Sequence, residues 1–539
     1  MNLSTMRQYA NNEIVDAVVI GTGAGGAPLL ARLSSAGLRV VALEAGRNWN
    51  PATDFATDEL EQAKLYWLAE RLSSGDMPVA FGANNSGTGV GGSMLHWGAY
   101  VPRADPRDLR MHSEFGVSAD WPLDYNDLLP YYEEVESFLG VSGPALYPWD
   151  DTRRYPLPPI ALNAPAQAMQ RGCAAIGLTT APAPIAAVSR DFTGPVTPGG
   201  AHDGALSAAG YPLRHACINR GYCHQGCRNG AKASMDVTYL PVAVSRGAEI
   251  RPETFVHGFE QDPTSGHITA VLYRDAAGVD HRQRTRAVFL CAGGVETPRL
   301  LLHTGLGNSS GEVGRNFMAH VATQVWGTFD EEMRPNKGFP ASLITEDTLR
   351  APDADFAGGY LIQPLGIVPI TWATQVARGR ELWGQPLLDY LDQYNFVAGI
   401  GINGDTLPHE DNRLVLSDEP DPAARGTGMP KPRVAFSYHG NEQRMSAHAE
   451  RTMNSIWQAA GARDLWTFER NAHTLGTCRM GADAATSVVN PVGQSWQIPN
   501  LWLADSSVFP SALPANPALT IMALSLRTAD AFLAQSRTA

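Results

Sequence analysis

The sequence predicts an α/β protein with two kinds of sheet: one parallel and buried between helices, the other mostly antiparallel and covered by helices. Three observations lead there. Ile14–Gly46 (IVDAVVIGTGAGGAPLLARLSSAGLRVVALEAG) reads as strand, glycine loop, helix, strand. Two later apolar segments, TRAVFLCAGG at Thr285–Gly294 and LWL at Leu501–Leu503, have the unbroken apolar character of strands buried on both faces. Between them, from about 325 to 445, short apolar runs alternate with turns: GGYLIQPLG, FVAGIGINGD, NRLVLS and PRVAFSYH. That rhythm suits an antiparallel sheet with one exposed face.

The first unit explains itself residue by residue. Ala17–Ile20 is a strand with no polar side, and Gly21, Gly23 and Gly26 follow in G-x-G-x-x-G spacing. Gly21 permits the tight turn, Gly23 lets the backbone approach a pyrophosphate, and Gly26 lets helix and strand pack closely. Leu29, Leu30 and Leu33 mark the helix, and Gly37 sits just past its end. The helix N-terminus offers unpaired N–H groups and a positive dipole end to phosphates. The second strand, Val40–Leu43, runs into Glu44, placed to accept the ribose hydroxyls of an adenine dinucleotide. All the parts fall in order within about thirty residues, as a Rossmann-like dinucleotide site requires. The motif does not separate FAD from NAD, but an acid rather than an arginine here argues against NADP.

Further along, a glycine-rich loop begins at Phe81 (FGANNSGTGVGGSMLHWGAYVPR). Trp121–Leu139 reads as largely helical, with Pro130 expected to kink it or start a new helix. Pro- and Gly-rich sequence from about Gly143 to Gly210 predicts long loops around one helix, Ala164–Gly177. Leu519–Ala534 is the last helix. The initial strand, the strand ending at Gly293–Gly294 and the C-terminal strand are expected to share one sheet, with the antiparallel region inserted between them.

Composition sets limits. A chain of 539 residues exceeds one core and predicts several domains. Its net charge of −13 makes it a poor nucleic-acid binder. No apolar stretch reaches the roughly eighteen residues of a membrane span. The N-terminus, MNLSTMRQYANNEIVD, has no apolar core of a signal peptide and no twin arginine. The expected compartment is therefore cytoplasmic, or periplasmic if the chain is exported attached to a signal-bearing partner. Six cysteines in a chain of this size argue against a disulfide scaffold.

Six segments, in order along the chain, resemble the glucose–methanol–choline (GMC) oxidoreductases: GTGAGG at 21–26, GVGGSMLHW at 89–97, CAGGVETPRLLLHTG at 291–305, VGRNFMAH at 313–320, HTLGTCRMG at 473–481 and NLWLADSSVFPSALPANPALT at 500–520. The resemblance implies FAD as the dinucleotide and oxidation of an alcohol carbon to a carbonyl. It implies an FAD-binding domain from residues 1–120, 205–322 and 462–539, and a substrate-binding domain with cap loops from 121–204 and 323–461.

The same resemblance suggests roles. His473, opening H-x-x-G-T, matches the family's catalytic histidine, and a near-neutral pKa suits a base for the hydroxyl proton. Asn516 stands where the family has histidine or asparagine, and its amide would donate a hydrogen bond to the substrate oxygen as alkoxide character develops. Gly91, Gly92 and Ser93 would lie along the flavin, Val256 would meet the adenine, and Asp505 would approach the ribityl–pyrophosphate through nearby backbone N–H groups or serve as a turn cap. His96 would pack beside the dimethylbenzene edge or carry FAD covalently, as a histidine in this loop does in some members.

HACINRGYCHQGCRNGAK holds Cys217, Cys223 and Cys227 in C-x5-C-x3-C spacing. Clustered thiols suit soft metals and iron–sulfur groups. Three ligands point to a [3Fe–4S] cluster or an iron with one other ligand; zinc with His215 or His224, or free thiols, are the alternatives. Arg214, Arg220, Arg228 and Lys232 would offset a cluster's charge. The spacing resembles that of bacterial flavin sugar dehydrogenases, where such a cluster relays electrons to a cytochrome, which implies a possible small subunit and cytochrome acceptor. No C-x-x-C-H is present for a haem of this chain's own.

The expected function is therefore FAD-dependent dehydrogenation of a small hydroxylated substrate (a sugar, sugar acid or polyol) with electrons passed to a partner. An alcohol or glycoside oxidase forming peroxide is the alternative, and a lyase with a structural FAD a third. Substrate choice is expected to lie in Gly194–Gly210 and residues 340–400.

Overall fold

The computed structural model describes residues 1, 3–55, 58–80, 86–195 and 206–538. Residues 81–85 of the glycine-rich loop and 196–205 of the Gly194–Gly210 loop lie outside the described residues.

The parallel sheet is as expected. Its strand order is Leu501–Leu503, Val288–Leu290, Ala17–Ile20, Val40–Leu43 and Glu249–Arg251. Val18 is in register with Val41 on one side and Val288 on the other, and Val288 with Leu501. Both faces of the central strands are buried, which is why their sequences carry no polar alternation. Helix Gly26–Ser35 packs on the sheet and against helices Tyr239–Ser245 and Ala518–Thr538, and Tyr125–Leu139 packs on Ala518–Thr538. Tyr125–Leu139 runs through Pro130 as one helix, so Pro130 starts no second one. It sits inside the helix beyond the first turn, so the helix forgoes one backbone hydrogen bond there.

The second large sheet departs from expectation in membership. Its path is Arg463–Phe468, Gln324–Thr328, Val397–Gly404, Met318–Val321 and Asn471–Leu475, with Tyr360–Leu365 also paired to Val397–Gly404. All these pairings are antiparallel. The runs NRLVLS and PRVAFSYH do not join it. They form Arg413–Pro420 and Pro430–Ala435 in a separate three-stranded sheet with Leu72–Ser74. Val397–Gly404 is buried along its whole length rather than on one face. Its glycines let neighbours press against it: a Cβ on Gly399 would meet the Trp326 ring at 2.6 Å. Helix Gly440–Ala459 covers one side of this sheet, and the other side faces the cavity described below.

The glycine loop shows why three small residues stand there. Gly21 has φ +93°, and a Cβ on it would lie 2.6 Å from the Cys291 carbonyl oxygen. A Cβ on Gly26 would lie 1.9 Å from the Gly21 carbonyl oxygen, whereas one on Gly23 would meet nothing closer than 3.7 Å. Gly26 is thus a packing residue, and Gly23 keeps open space in front of the backbone. These two roles separate experimentally. Gly26→Ala is expected to cost about 1–3 kcal/mol, the usual penalty of overpacking, read as a lowered unfolding midpoint. Gly23→Ala is expected to leave the unfolding midpoint of cofactor-free protein within about 0.5 kcal/mol of the original, as for a substitution with no overpacking or strain, yet to lower the flavin-to-protein absorbance ratio of purified material.

Candidate active site

One cavity of about 490 Å³ gathers most of the residues named from sequence. Gly21, Gly23, Glu44, Gly92, Ser93, His96, Val256, Asp505, His473 and Asn516 all line it. Gly26 and Gly91 stand behind its wall. Gly91 donates its N–H to Thr22 Oγ1 (3.0 Å), tying one glycine loop to the other.

Glu44 does more than face a ribose. Its Oε2 accepts from Thr22 N (3.0 Å) and Thr22 Oγ1 (2.8 Å), and its Oε1 from Gly46 N (3.0 Å). Burial pushes its carboxyl up, while the Gly46, Thr22 and Gly89 donors pull it down. Most of its acceptor capacity therefore holds the loop, leaving little for a ligand. Asp505 behaves similarly. Its Oδ2 accepts from Gly293 N (2.8 Å) and Thr297 Oγ1 (2.6 Å), and its Oδ1 accepts from Ser507 N (2.8 Å), capping Ser506–Val508. The cap reading of this residue is the one its contacts display.

The cavity suits FAD. Helix Gly26–Ser35 has no side-chain cap at its N-terminus; Ala27 N bonds the Gly23 carbonyl (3.0 Å) and Pro28 carries no N–H, so it is the loop N–H groups up to Gly26 that remain for a phosphate. His96 Nε2, Trp67 Nε1, Trp97 Nε1 and Tyr100 Oη are buried on the lining residues without a protein partner. Orphaned polar atoms of this kind call for a polar ligand. His96 packs edge-on to Tyr66 (4.9 Å between ring centroids), and burial lowers its pKa to about 3. It is a neutral imidazole at the cavity wall.

Around His473 and Asn516, the structure supplies two residues that sequence reading missed. Strands Met318–Val321 and Asn471–Leu475 pair with an irregular register between Met318 and His320, and His320 lies beside Ala472. The His320 and His473 rings meet edge-on with their Nδ1 atoms 2.8 Å apart. His320 is wholly buried, and its Nε2 faces the carbonyls of Leu513 (2.7 Å) and Ala512 (3.1 Å). Carbonyls only accept, so Nε2 carries a proton. Burial lowers the His320 pKa to about 4, so the ring is neutral and its Nδ1 is an acceptor. His473 must then donate from Nδ1, which leaves its lone pair on Nε2. Burial, His320 and Arg470 together hold His473 well below the ordinary histidine range. His473 also occupies the left-handed backbone region at φ 63°, a strain typical of functional positions.

Asn403, on Val397–Gly404, donates from Nδ2 to Asn516 Oδ1 (2.9 Å). That bond consumes the amide oxygen of Asn516 and turns its NH₂ outward as the available group. The clues were present in sequence: His320 closes VGRNFMAH, and Asn403 sits in FVAGIGINGD. Neither has a spacing signal of its own.

The cysteine loop abuts the cavity without lining it through its thiols; Gly221, His224 and Gln225 form that part of the wall. Among the described residues no group of three or more His, Cys, Asp or Glu side chains is placed to hold a single metal ion. The zinc alternative thus lacks a site. His215 pairs with Asp191 at the surface, and His224 donates from Nδ1 to the His96 carbonyl (2.9 Å). The three sulfurs nevertheless feel one another electrostatically, and burial pushes the Cys217 and Cys223 thiols up. Lys232 is buried beside them, donating to the carbonyls of Cys223 (2.6 Å), Leu95 (2.9 Å) and Trp97 (3.1 Å). It therefore bridges the thiol loop and the His96 segment.

No helix among the described residues is long and apolar enough to cross a membrane. The sequence matches the GMC oxidoreductase family over residues 69–322 in its N-terminal part and 408–525 in its C-terminal part. It is 29% identical to a 2-methyl-1,2-propanediol dehydrogenase of Mycolicibacterium austroafricanum, over 96% of this chain and 94% of that one. It is 28% identical to a fructose dehydrogenase large subunit of Gluconobacter japonicus, over 96% and 97% respectively. Among solved structures, a formate oxidase of Aspergillus oryzae, in which FAD modification is described, superposes with TM-score 0.67 at 15% identity, over 98% of this chain and 100% of that one. With its glycine loops, parallel sheet and histidine–asparagine cavity in place, the chain belongs to the GMC oxidoreductase family and is a flavoprotein oxidoreductase that takes FAD.

Proposed function

We propose that the protein oxidises a CH–OH group of a sugar, sugar acid or polyol to the carbonyl and delivers the electrons to a partner rather than to O₂. The observation that carries the chemistry is the tautomer imposed on His473, whose free lone pair lies on a ring at the wall of the flavin cavity. FAD held by this cavity would supply the hydride acceptor for the carbinol carbon. His473 Nε2 takes the hydroxyl proton, the C–O bond becomes a carbonyl, and two electrons leave the substrate with the hydride. Asn516 donates from its amide to the substrate oxygen while negative charge builds there. Asn403 holds that amide in its donating orientation, and His320 holds His473 with Nε2 unprotonated. Relatives named as a propanediol dehydrogenase and a fructose dehydrogenase subunit support the donor class and the preference for a partner acceptor. Peroxide formed at the turnover rate would instead make the protein an oxidase.

We further propose that Cys217, Cys223 and Cys227 hold an iron–sulfur group of the [3Fe–4S] type, which when bound supplies one-electron chemistry toward a small subunit or cytochrome. Supporting it are the electrostatic influence of the thiols on one another and the buried Lys232, whose ammonium donates only to carbonyls while its backbone N–H donates to Cys227 Sγ (3.3 Å). The sulfurs do not converge on one ion. Iron and acid-labile sulfide assays per flavin decide it, and purified yellow protein without iron removes the cluster.

His473→Ala is expected to slow flavin reduction by substrate at least ~10²-fold in anaerobic stopped flow with FAD retained, the usual size of a general-base contribution. His320 is a positioning residue, and its variants separate position from mere packing. Asn keeps an acceptor near the place of Nδ1, whereas Gln and Leu do not. His320→Asn is expected to stay within about tenfold of the original rate while His320→Leu falls ~10²-fold, at comparable flavin content. Equal losses in both variants would remove the positioning role.

The depressed His473 pKa also sets a pH dependence. The neutral imidazole is the active form, and acid must fall well below 6.5 to protonate it. The kcat/KM of flavin reduction, which reports the substrate-free protein, is therefore expected to stay level as pH drops through 6.5 and to decline only at more acid pH. A half-maximal point at 6.5 would contradict the assignment.

A further inference from the structure

We propose that Arg470 forms an anion subsite in the active-site cavity, so that the preferred substrate is a hydroxy acid whose carboxylate pairs with this guanidinium. The proposal rests on the CH–OH oxidation reading above and narrows its substrate class. Arg470 lines the cavity three residues before His473. Its backbone is anchored, because its carbonyl accepts from Tyr438 Oη (2.9 Å) and Ala322 N (3.0 Å). Its guanidinium has neither an ion pair nor a hydrogen bond to protein among the described residues. The charged group nearest to it in influence is Arg378, of like sign. Burial lowers its pKa only to about 10, so it remains cationic at neutral pH.

Other cations around the cavity are not left this way. Arg71 reaches Glu296 (2.8 Å) and Ser86 (2.6 Å), and Lys232 is ringed by three carbonyls. Arg470 is only half-buried, its guanidinium facing the cavity without a counter-ion, and an anionic ligand there supplies the pairing that the protein does not. The guanidinium fork matches a carboxylate with two parallel hydrogen bonds. Its charge is felt at His473, which it makes less basic, so an anion on Arg470 lies within electrostatic reach of the reacting centre. Among the other unpartnered polar atoms on this cavity's lining is Gln363 Oε1, a buried acceptor suited to a substrate hydroxyl. One anion receptor and one hydroxyl acceptor together describe a polyhydroxylated acid.

Two measurements on the FAD-loaded protein test this. In the first, acetate serves as the bare probe anion at constant ionic strength. It is expected to raise the unfolding midpoint of the wild type, with Arg470→Gln needing at least about tenfold more acetate for the same rise. In the second, D-gluconate and D-glucitol serve as matched acid and alcohol in anaerobic flavin reduction. The acid is expected to have the larger kcat/KM, and Arg470→Gln to narrow the acid-to-alcohol ratio by ~10–10²-fold, the worth of hydrogen bonds to a charged group. An acetate response equal in the two proteins overturns the subsite. So does a wild-type preference for the alcohol, or an equal loss on both substrates, the signature of a guanidinium that serves the flavin. If no alcohol or acid in a wider panel bleaches the flavin, the oxidation reading fails, and the acetate titration still decides the Arg470 assignment.

Discussion

A single hydrogen bond between two neutral imidazoles, 2.8 Å from Nδ1 to Nδ1, sets the proton chemistry of this site. It exists because two strands, Met318–Val321 and Asn471–Leu475, pair with an irregularity at His320, and because His473 is held at φ 63°. The loop Asp505–Pro517 completes the constraint. Its carbonyls at Ala512 and Leu513 fix the outer nitrogen of His320, and three residues later it presents Asn516. Leu513 is itself left-handed at φ 63°. One loop thus sets the tautomer of His473 and carries Asn516. Asn403 comes from the strand adjoining Met318–Val321 through Val321 and Gly404, so a single sheet supports both partners. Neutral groups serve well here. A carboxylate behind His473 would raise its pKa and protonate the base, whereas a buried neutral histidine orients the ring without doing so.

The parallel sheet was legible in sequence because burial on both faces leaves an unmistakable signature. Ala17–Ile20, Val40–Leu43 and Leu501–Leu503 all have the predicted bounds. The glycine motif was legible because Gly21 and Gly26 answer steric demands of the fold that no other residue meets, while Gly23 keeps space open before the backbone. The antiparallel region was less so. NRLVLS and PRVAFSYH look like its other runs, yet they pair with each other, and PRVAFSYH with Leu72–Ser74, a partner more than three hundred residues away. Alternation reveals that a strand has two unlike faces, but nothing about which strand lies beside it. His320 and Asn403 were invisible for a related reason. Each acts through a contact made across strands, and a lone histidine or asparagine in an apolar run carries no periodic mark.

Glu44 and Asp505 teach a different lesson. Both stand where a nucleotide-binding acid was expected, yet their oxygens are largely taken by Thr22, Gly46, Gly293, Thr297 and Ser507. Their main work is to fasten loops that carry the free N–H groups. An acid at a strand end can therefore serve a dinucleotide indirectly, by fixing the loop and its N–H groups, without donating its own lone pairs to the ligand.

The electrostatics of the site close the argument. Accepting a proton at His473 creates a cation in a buried place, beside Arg470 and behind a ring that cannot share the charge. In the empty cavity that step is uphill, which is what the depressed pKa expresses. A carboxylate seated on Arg470 would cancel the nearest opposing charge and raise the basicity of Nε2 when substrate is present. The unpaired arginine and the weak base are then parts of one device. Proton abstraction stays unfavourable until the molecule to be oxidised arrives with the counter-charge that makes it favourable, and a neutral alcohol, lacking that charge, meets a poorer base in the same geometry.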